Sequence, residues 1–385
     1  MTLHGFRRPG GRVGFRNHVL ILPTVTCSNI VAQKISNAVP GTISIANNTG
    51  CGLLAGDLEL FTRTLINTAG NPNVAATLVV GLGCESISAE QAAAGIKKFG
   101  KPVEYLSIQK TGGTIKTLKK GIALATKLVQ QVNDIPRETV AISDLVLAVE
   151  CGGSDPASGL SANVALGSAV DKIVDQGGSA IISETDEFVG AEMIAAANTR
   201  DKATGKRLLQ MVHRFEKHIK MYGADLSNGQ PSRGNVLAGL TTIEEKSLGC
   251  ARKIGTRPLV QVVEFGEIPT EKGPVFMDSP GFDLTSVSGL VASGCQVMVF
   301  TTGMGTPLGN GIIPVIKIIS NTPGYRKMKD DLDMNAGTIL EGTETIEQVG
   351  NRIYAKILRV CAGQKTKTEI LGENQFCVWQ TQAQL

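Results

Sequence analysis

Glu150-Cys151-Gly152-Gly153-Ser154-Asp155, directly after the apolar run Leu145 to Val149, is the stretch on which the fold class turns. A short, continuously hydrophobic run is what a strand looks like when helices cover both faces of its sheet, and open α/β sheets place ligands at the C-terminal ends of such strands. Here that end carries a thiol, a hydroxyl and a carboxylate on a glycine turn, whose backbone N–H groups can approach an anion closely. Leu78-Val79-Val80-Gly81-Leu82-Gly83-Cys84-Glu85 repeats the pattern.

Working outward, Val19 to Val25 reads as a strand ending at Thr26-Cys27-Ser28-Asn29, followed by a helix over 30–38. Thr42 to Ala46 is a second short strand, ending in Asn47-Asn48-Thr49-Gly50-Cys51-Gly52. A helix over 58–69 is broken by Asn71-Pro72-Asn73. Strands at 76–80 and 103–108 alternate with helices at 89–99 and 114–132. The alternation predicts a parallel sheet. Asn133 to Thr139 is read as a linker, after which the pattern restarts: strand 145–149, helix 162–177, strand 179–183, helices 190–196 and 202–222. Gly223 to Gly255 reads as a long, weakly structured active-site loop. Strands return at 259–264, 296–301 and 315–319. The expected architecture is therefore two Rossmann-like α/β domains, 1–136 and 137–385, with parallel sheets and Gly-rich strand-end loops.

Composition agrees: 385 residues with 45 glycines and only 4% aromatic residues suit a compact α/β enzyme. A net charge of +4 with interspersed Lys and Arg argues against a nucleic-acid footprint, and no run is long and apolar enough to span a bilayer. A cytoplasmic protein is expected. Eight cysteines without a secretion signal point to reduced thiols, and without a CxxC pair any metal site must draw on distant cysteines. A Gly-x-Gly-x-x-Gly after the first strand is missing, which disfavours a dinucleotide-binding oxidoreductase.

Glu150 to Asp155 with Ser158-Gly-Leu-Ser-Ala-Asn163, Ser183-Glu184-Thr185, Gly190-Ala-Glu192, Gly239-Leu-Thr-Thr-Ile-Glu-Glu-Lys-Ser-Leu-Gly-Cys250, Phe300-Thr-Thr-Gly303 and Gly305-Thr-Pro307 closely resembles the altronate and galactarate dehydratase family. Gly10 to Asn17, Thr24 to Cys27 and Gly81 to Glu85 extend the resemblance over nearly the whole chain. It implies iron-dependent dehydration of sugar acids to 2-keto-3-deoxy acids, with sulfite elimination from sulfolactate as the related alternative. Dehydratase relatives carry a small domain ahead of the region matching residue 1, so a separate small subunit is expected, in an oligomer. Asn47, Asn48 and Met304 stand where several relatives have histidine and arginine, which fits a shorter or differently charged hydroxy acid.

Cys51, Cys84 and Cys151 all lie in Gly-flanked turns at strand ends and are the candidate ligands of an iron–sulfur cluster or ferrous ion, another divalent cation being the alternative. Burial in tight turns is the plainer fate of such thiols. Cys27 is a weaker candidate, and Cys250 reads as packing. The candidate catalytic groups are Asp155, Glu184, Glu245 and Lys246, the first two at strand ends and the others in the Gly239–Cys250 motif. Candidate substrate contacts are Arg12 and Arg16 as an anion clamp, with Ser154, Asn163, Thr241, Thr242, Thr301, Thr302 and Thr306 as donors. A catalytically idle subunit that presents a hydroxy acid to its partner is the reading from a different class.

Overall fold

The computed structural model describes residues 3–226 and 229–385. The first strands are β1 (Leu3–Arg7), β2 (Val13–Gly14), β3 (His18–Pro23), β4 (Thr42–Ser44), β5 (Val74–Gly81), β6 (Val103–Ser107) and β7 (Glu138–Val140). β3 to β6 form a parallel sheet in the order β4-β3-β5-β6, the α/β unit that the alternation predicts. Every residue of β5 is buried, because helices cover both faces. On one face lies the helix Thr114–Asn133, whose buried Thr117, Gly121, Ala125, Leu128 and Val132 recur at helical spacing and form one stripe. β1 instead pairs antiparallel with β2 and β7, so the end of the expected linker belongs to a small three-stranded sheet.

The second sheet is fully parallel: β8 (Val146–Cys151), β9 (Ser179–Ile182), β10 (Gln261–Val263), β11 (Pro274–Met277), β12 (Val297–Thr302), β13 (Val315–Ile319) and β14 (Met334–Asn335), in the order β10-β11-β9-β8-β12-β13-β14. From β8 the chain builds outward through β9, and it later returns to β12 on the other side. The crevice where strand order reverses therefore lies between the ends of β8 and β12, at Cys151 and Thr302. β11 and the helices Asp283–Ala292 and Ile346–Cys361 fall in stretches to which the sequence reading assigned no element.

The two sheets share a core. Leu22 and Val79 of the first, Met298 and Phe300 of the second, and residues of the helices Ala55–Gly70 and Asp283–Ala292 pack into one cluster. Polar pins close the seam: Asn71 Nδ2 donates to the carbonyls of Val291 and Cys295, both at 2.8 Å. The last residues cross back to the first domain, where Asn48 and Val378 bond reciprocally and Asp57 accepts from Thr381 and Gln382. No helix among the described residues is long and apolar enough to cross a membrane.

The expected loop 223–255 is largely helical. Ser227 and Asn228 lie outside the described residues; beyond them Arg233–Leu237 and Ile243–Ala251 are helices, each with a hydroxyl N-cap, Ser232 and Thr242. The 3-10 turn Arg252–Ile254 completes the segment.

Candidate active site

Three lysine-bearing and acid-bearing elements meet above β8 and β9. Glu150 and Cys151 are successive residues of β8, so their side chains leave on opposite faces of the sheet. Glu150 faces helix Asp283–Ala292: its Oε2 accepts from Ser183 and Ser286, each at 2.9 Å. Cys151 faces the other way. Its Sγ lies 3.3 Å from Cys250 Sγ, 3.3 Å from Glu187 Oε2 and 3.1 Å from the Lys253 ammonium.

Glu184 connects the two faces. It follows β9 with φ at +72°, the only positive φ of a non-glycine residue among the described residues. A side chain held there is strained, and such strain collects at functional sites. Its backbone N–H donates to Ser279 Oγ at 2.9 Å, and its carboxylate pairs with Lys253 inside a fully buried ion pair. Glu187, one turn on, pairs with Lys246 at 2.8 Å. Lys246 also donates to Gln230, whose amide donates in turn to Asp186.

The electrostatics follow from burial set against these partners. Burial, reinforced by Glu150 and Glu187, holds Glu184 well above the usual carboxylate range. Burial would raise Glu187 too, but Lys246 and Lys253 overcome it and hold that carboxyl at about 2. Burial lifts Asp283 to about 6 and Asp186 to about 6. Lys253 is kept charged against its burial by the surrounding sulfur and carboxylate groups. Glu150 Oε1 and Glu184 Oε1 are both buried without a hydrogen-bond partner. Burial is the main reason that both carboxyls hold their protons more firmly than free ones.

Burial raises Glu150 from 4.5 to about 8, the attraction of Lys253 notwithstanding. The carboxyl therefore binds its proton more firmly folded than unfolded. Its contribution to stability is fully present below about pH 4.5 and is lost as the pH rises to about 8. Glu150→Gln is expected to flatten the fall in Tm across that window, each pH unit accounting for at most ~1.4 kcal/mol. An unchanged slope would assign the dependence to other groups.

Of the sequence-predicted residues, Glu184, Lys246 and Cys151 come together here. The others are placed differently. Asp155 accepts from Ser158, Ser320 and Asn321 and ties the β8 turn to the β13 turn. Glu245 accepts from Thr241, and Thr242 caps the same helix. Asn163 joins Thr301 to the Gly249 carbonyl, and Thr302 and Thr306 accept from the backbone of their own turn. Ser154 keeps a buried hydroxyl without a partner, in a cleft of about 20 Å³ that it shares with Lys246 and Cys250. Arg12 lies far from this crevice, by the starts of β8, β9 and β11, where it donates to the Gly70 carbonyl. Arg16 is spent on Glu369 at 2.7 Å. They do not form a clamp.

The expected metal set is not assembled. Cys51 and Cys84 are exposed in the first domain, whereas Cys151 is buried at the end of β8, and helices Ala55–Gly70 and Asp283–Ala292 pack between the two sheets. Two other groups bring three ligating atoms within 4.8 Å of one another: Cys151, Glu187 and Cys250, and Glu150, Glu184 and Asp283. Neither fits iron. In the first, the ammonium groups of Lys246 and Lys253 already contact Glu187 and Cys151. In the second, Lys253 occupies one oxygen of Glu184, while Glu150 Oε1 and Glu184 Oε1 are buried without a partner. Lys246 and Lys253 bring two positive charges to this centre.

Lys253, Glu187, Glu150 and Asp283 are the members that sequence reasoning missed. A signal was present for one: Lys246, Cys250 and Lys253 are spaced by four and three, one face of a helix, once the segment is not taken for a loop.

Two family models match the chain: "D-galactarate/Altronate dehydratase, C-terminal" over residues 142–384 and "D-galactarate dehydratase/Altronate hydrolase, second domain" over 5–133. The beta subunit of (2R)-sulfolactate sulfo-lyase from Chromohalobacter salexigens is 37% identical over 97% of this chain and 96% of its own length. Altronate dehydratase of Bacillus subtilis is 33% identical over 96% of this chain and 75% of its own. Galactarate dehydratase (L-threo-forming) of Escherichia coli is 37% identical over 79% and 59% respectively.

Proposed function

Since the chain belongs to the D-galactarate/altronate dehydratase family and is a lyase, we propose that it removes water from a sugar acid or related 2-hydroxy acid by β-elimination, giving a 2-keto-3-deoxy acid, at the centre above β8 and β9. The observation that carries this is the Glu184–Lys253 pair: a strained, fully buried carboxyl with raised proton affinity, held by a charged lysine at the crevice where strand order reverses.

Removing a proton next to a carboxylate builds negative charge on that carboxylate, and fixed cations in a desolvated site oppose its cost. Lys246, which reaches the cleft, anchors the substrate carboxylate, and the free Ser154 hydroxyl donates to an oxygen of the same molecule. Glu184 moves the proton. Its affinity, raised by burial, suits a group that must both take and give one. Lys253 positions Glu184 and keeps its second oxygen fixed.

A second reading, elimination of sulfite in place of water, is favoured by the end-to-end match to the sulfo-lyase beta subunit. In either case a separate small subunit and a cytoplasmic setting belong to the proposal. The test is a panel of 2-hydroxy acids, scored for 2-keto-3-deoxy product and for sulfite, with the small subunit supplied. Turnover is expected, with kcat reduced ~100-fold or more and KM little changed in Glu184→Gln. An unaffected Glu184→Gln enzyme would remove Glu184 from proton transfer, and failure to turn over any hydroxy acid would favour an idle binding subunit.

A further inference from the structure

The thiols of Cys151 and Cys250 touch. Their sulfurs lie 3.3 Å apart although the residues are 99 positions apart in sequence, one at the end of β8 and the other in the helix Ile243–Ala251. Both thiols are free, and each residue is only 1% exposed. Closing the gap to the ~2.05 Å of a disulfide takes a movement of ~1.3 Å, shared between two side chains.

Thiols sunk in apolar surroundings are inert, because burial disfavours the reactive thiolate. Cys295 and Cys361 are of that kind: each packs in an apolar cluster, where burial pushes its thiol up. The touching pair is buried among charges instead. The Lys253 ammonium stands 3.1 Å from Cys151 Sγ and favours a thiolate there. The contact with Cys151, and then burial, hold the Cys250 thiol up, so the pair retains a proton that either sulfur can carry. An approach from outside is present as well. Cys250 lines the cleft of about 20 Å³ that also holds Ser154 and Lys246, and a water needs only ~10–15 Å³. A small polar oxidant fits there and a bulky reagent does not.

We propose that Cys151 and Cys250 form a reversible dithiol–disulfide site, oxidised by hydrogen peroxide entering through that cleft. With the shared proton on Cys151, the Cys250 sulfur gives an electron pair to one peroxide oxygen, and the O–O bond breaks. Cys250 becomes a sulfenic acid, and the second oxygen leaves as water with the proton of Cys151. The Cys151 thiolate then attacks the Cys250 sulfur, the S–O bond breaks, and the hydroxyl leaves as a second water. Two thiols and one peroxide thus give one disulfide and two waters, the sulfurs being oxidised and the peroxide oxygens reduced. The disulfide takes from Glu187 the thiol that donates to it at 3.3 Å, and from Lys253 the sulfur charge that helps to keep it protonated. The centre therefore changes state with the pair. The inference does not depend on which reaction that centre catalyses.

The test uses the folded full chain, its accessible thiols first blocked with a maleimide. The protein is treated with hydrogen peroxide, quenched, unfolded in a second, isotopically distinct maleimide, and mapped by mass spectrometry of its peptides. Wild type is expected to yield one cross-linked species joining the Cys151 and Cys250 peptides, about 2 Da lighter than the two reduced peptides together. Cys295 and Cys361 should take the second maleimide, and dithiothreitol added before unfolding should return Cys151 and Cys250 to the same state. Cys250→Ser should yield no cross-link. Recovery of Cys151 and Cys250 as thiols from peroxide-treated wild type, oxygen added to either sulfur without a cross-link, or a cross-link from either one to a different cysteine would each overturn the proposal.

Discussion

Lys253→Met is expected to abolish most activity and to cost ~3–5 kcal/mol of stability, the penalty for leaving a buried charge without its partner. Lys253 is fully buried and its ammonium serves Glu184, Cys151 and Glu187 together. Removing it takes away the cation that favours the ionised form and leaves the repulsion of Glu150 and Glu187, so the proton affinity of that carboxyl rises further. The limb of the pH–rate profile that reports Glu184 should therefore move to higher pH, while kcat falls ~100-fold or more. The shift separates positioning from mere destabilisation: a variant that is only less stable loses Tm and keeps the wild-type limb. An unshifted profile at reduced kcat would mean that Lys253 does not act through Glu184. Lys253→Arg should not rescue, because the planar guanidinium does not fit a site shaped around an ammonium point charge.

Asn73→Ala is expected to destabilise the chain by ~3–6 kcal/mol, one of the largest effects available outside the site. The side chain is fully buried. Its Nδ2 donates to the carbonyls of Gln296 and Ile312 in the second domain, at 2.8 and 3.1 Å. Its Oδ1 accepts from the backbone of Phe15 and Arg16, at 2.8 and 3.2 Å. Truncation leaves buried backbone groups unsatisfied on both sides of the seam, which costs more than the bonds themselves contribute. Denaturant unfolding followed by domain-specific probes should show the loss, with the N-terminal segment and the second domain losing protection together. A change below ~1 kcal/mol would show that water or a rearranged side chain replaces these bonds.

Asn73 also shows where reading the chain stops. In sequence, Asn71-Pro72-Asn73 is a helix breaker, and it does end the helix Ala55–Gly70. That it pins two domains depends on groups more than 200 residues away, such as the Gln296 carbonyl, and no local pattern encodes that distance.

The sequence by itself determined the α/β class, the two parallel sheets and the strand ends at which Cys27, Cys51, Cys84 and Cys151 lie, because burial on both faces leaves a period-free apolar run and glycine marks the turn after it. It also pointed to Glu184 and Lys246, through the motifs that carry the family resemblance. Only the tertiary structure decided which of these groups meet. Strand order put Cys151 at the end of a different sheet from the other three thiols, helix packing turned Cys250 and Lys253 toward it, and hydrogen bonding withdrew Asp155, Glu245, Arg12 and Arg16 into scaffolding roles. Local sequence sets backbone conformation and burial, whereas the partner of a charged or sulfur-bearing side chain is chosen by whichever distant group the completed packing leaves within ~3 Å of it.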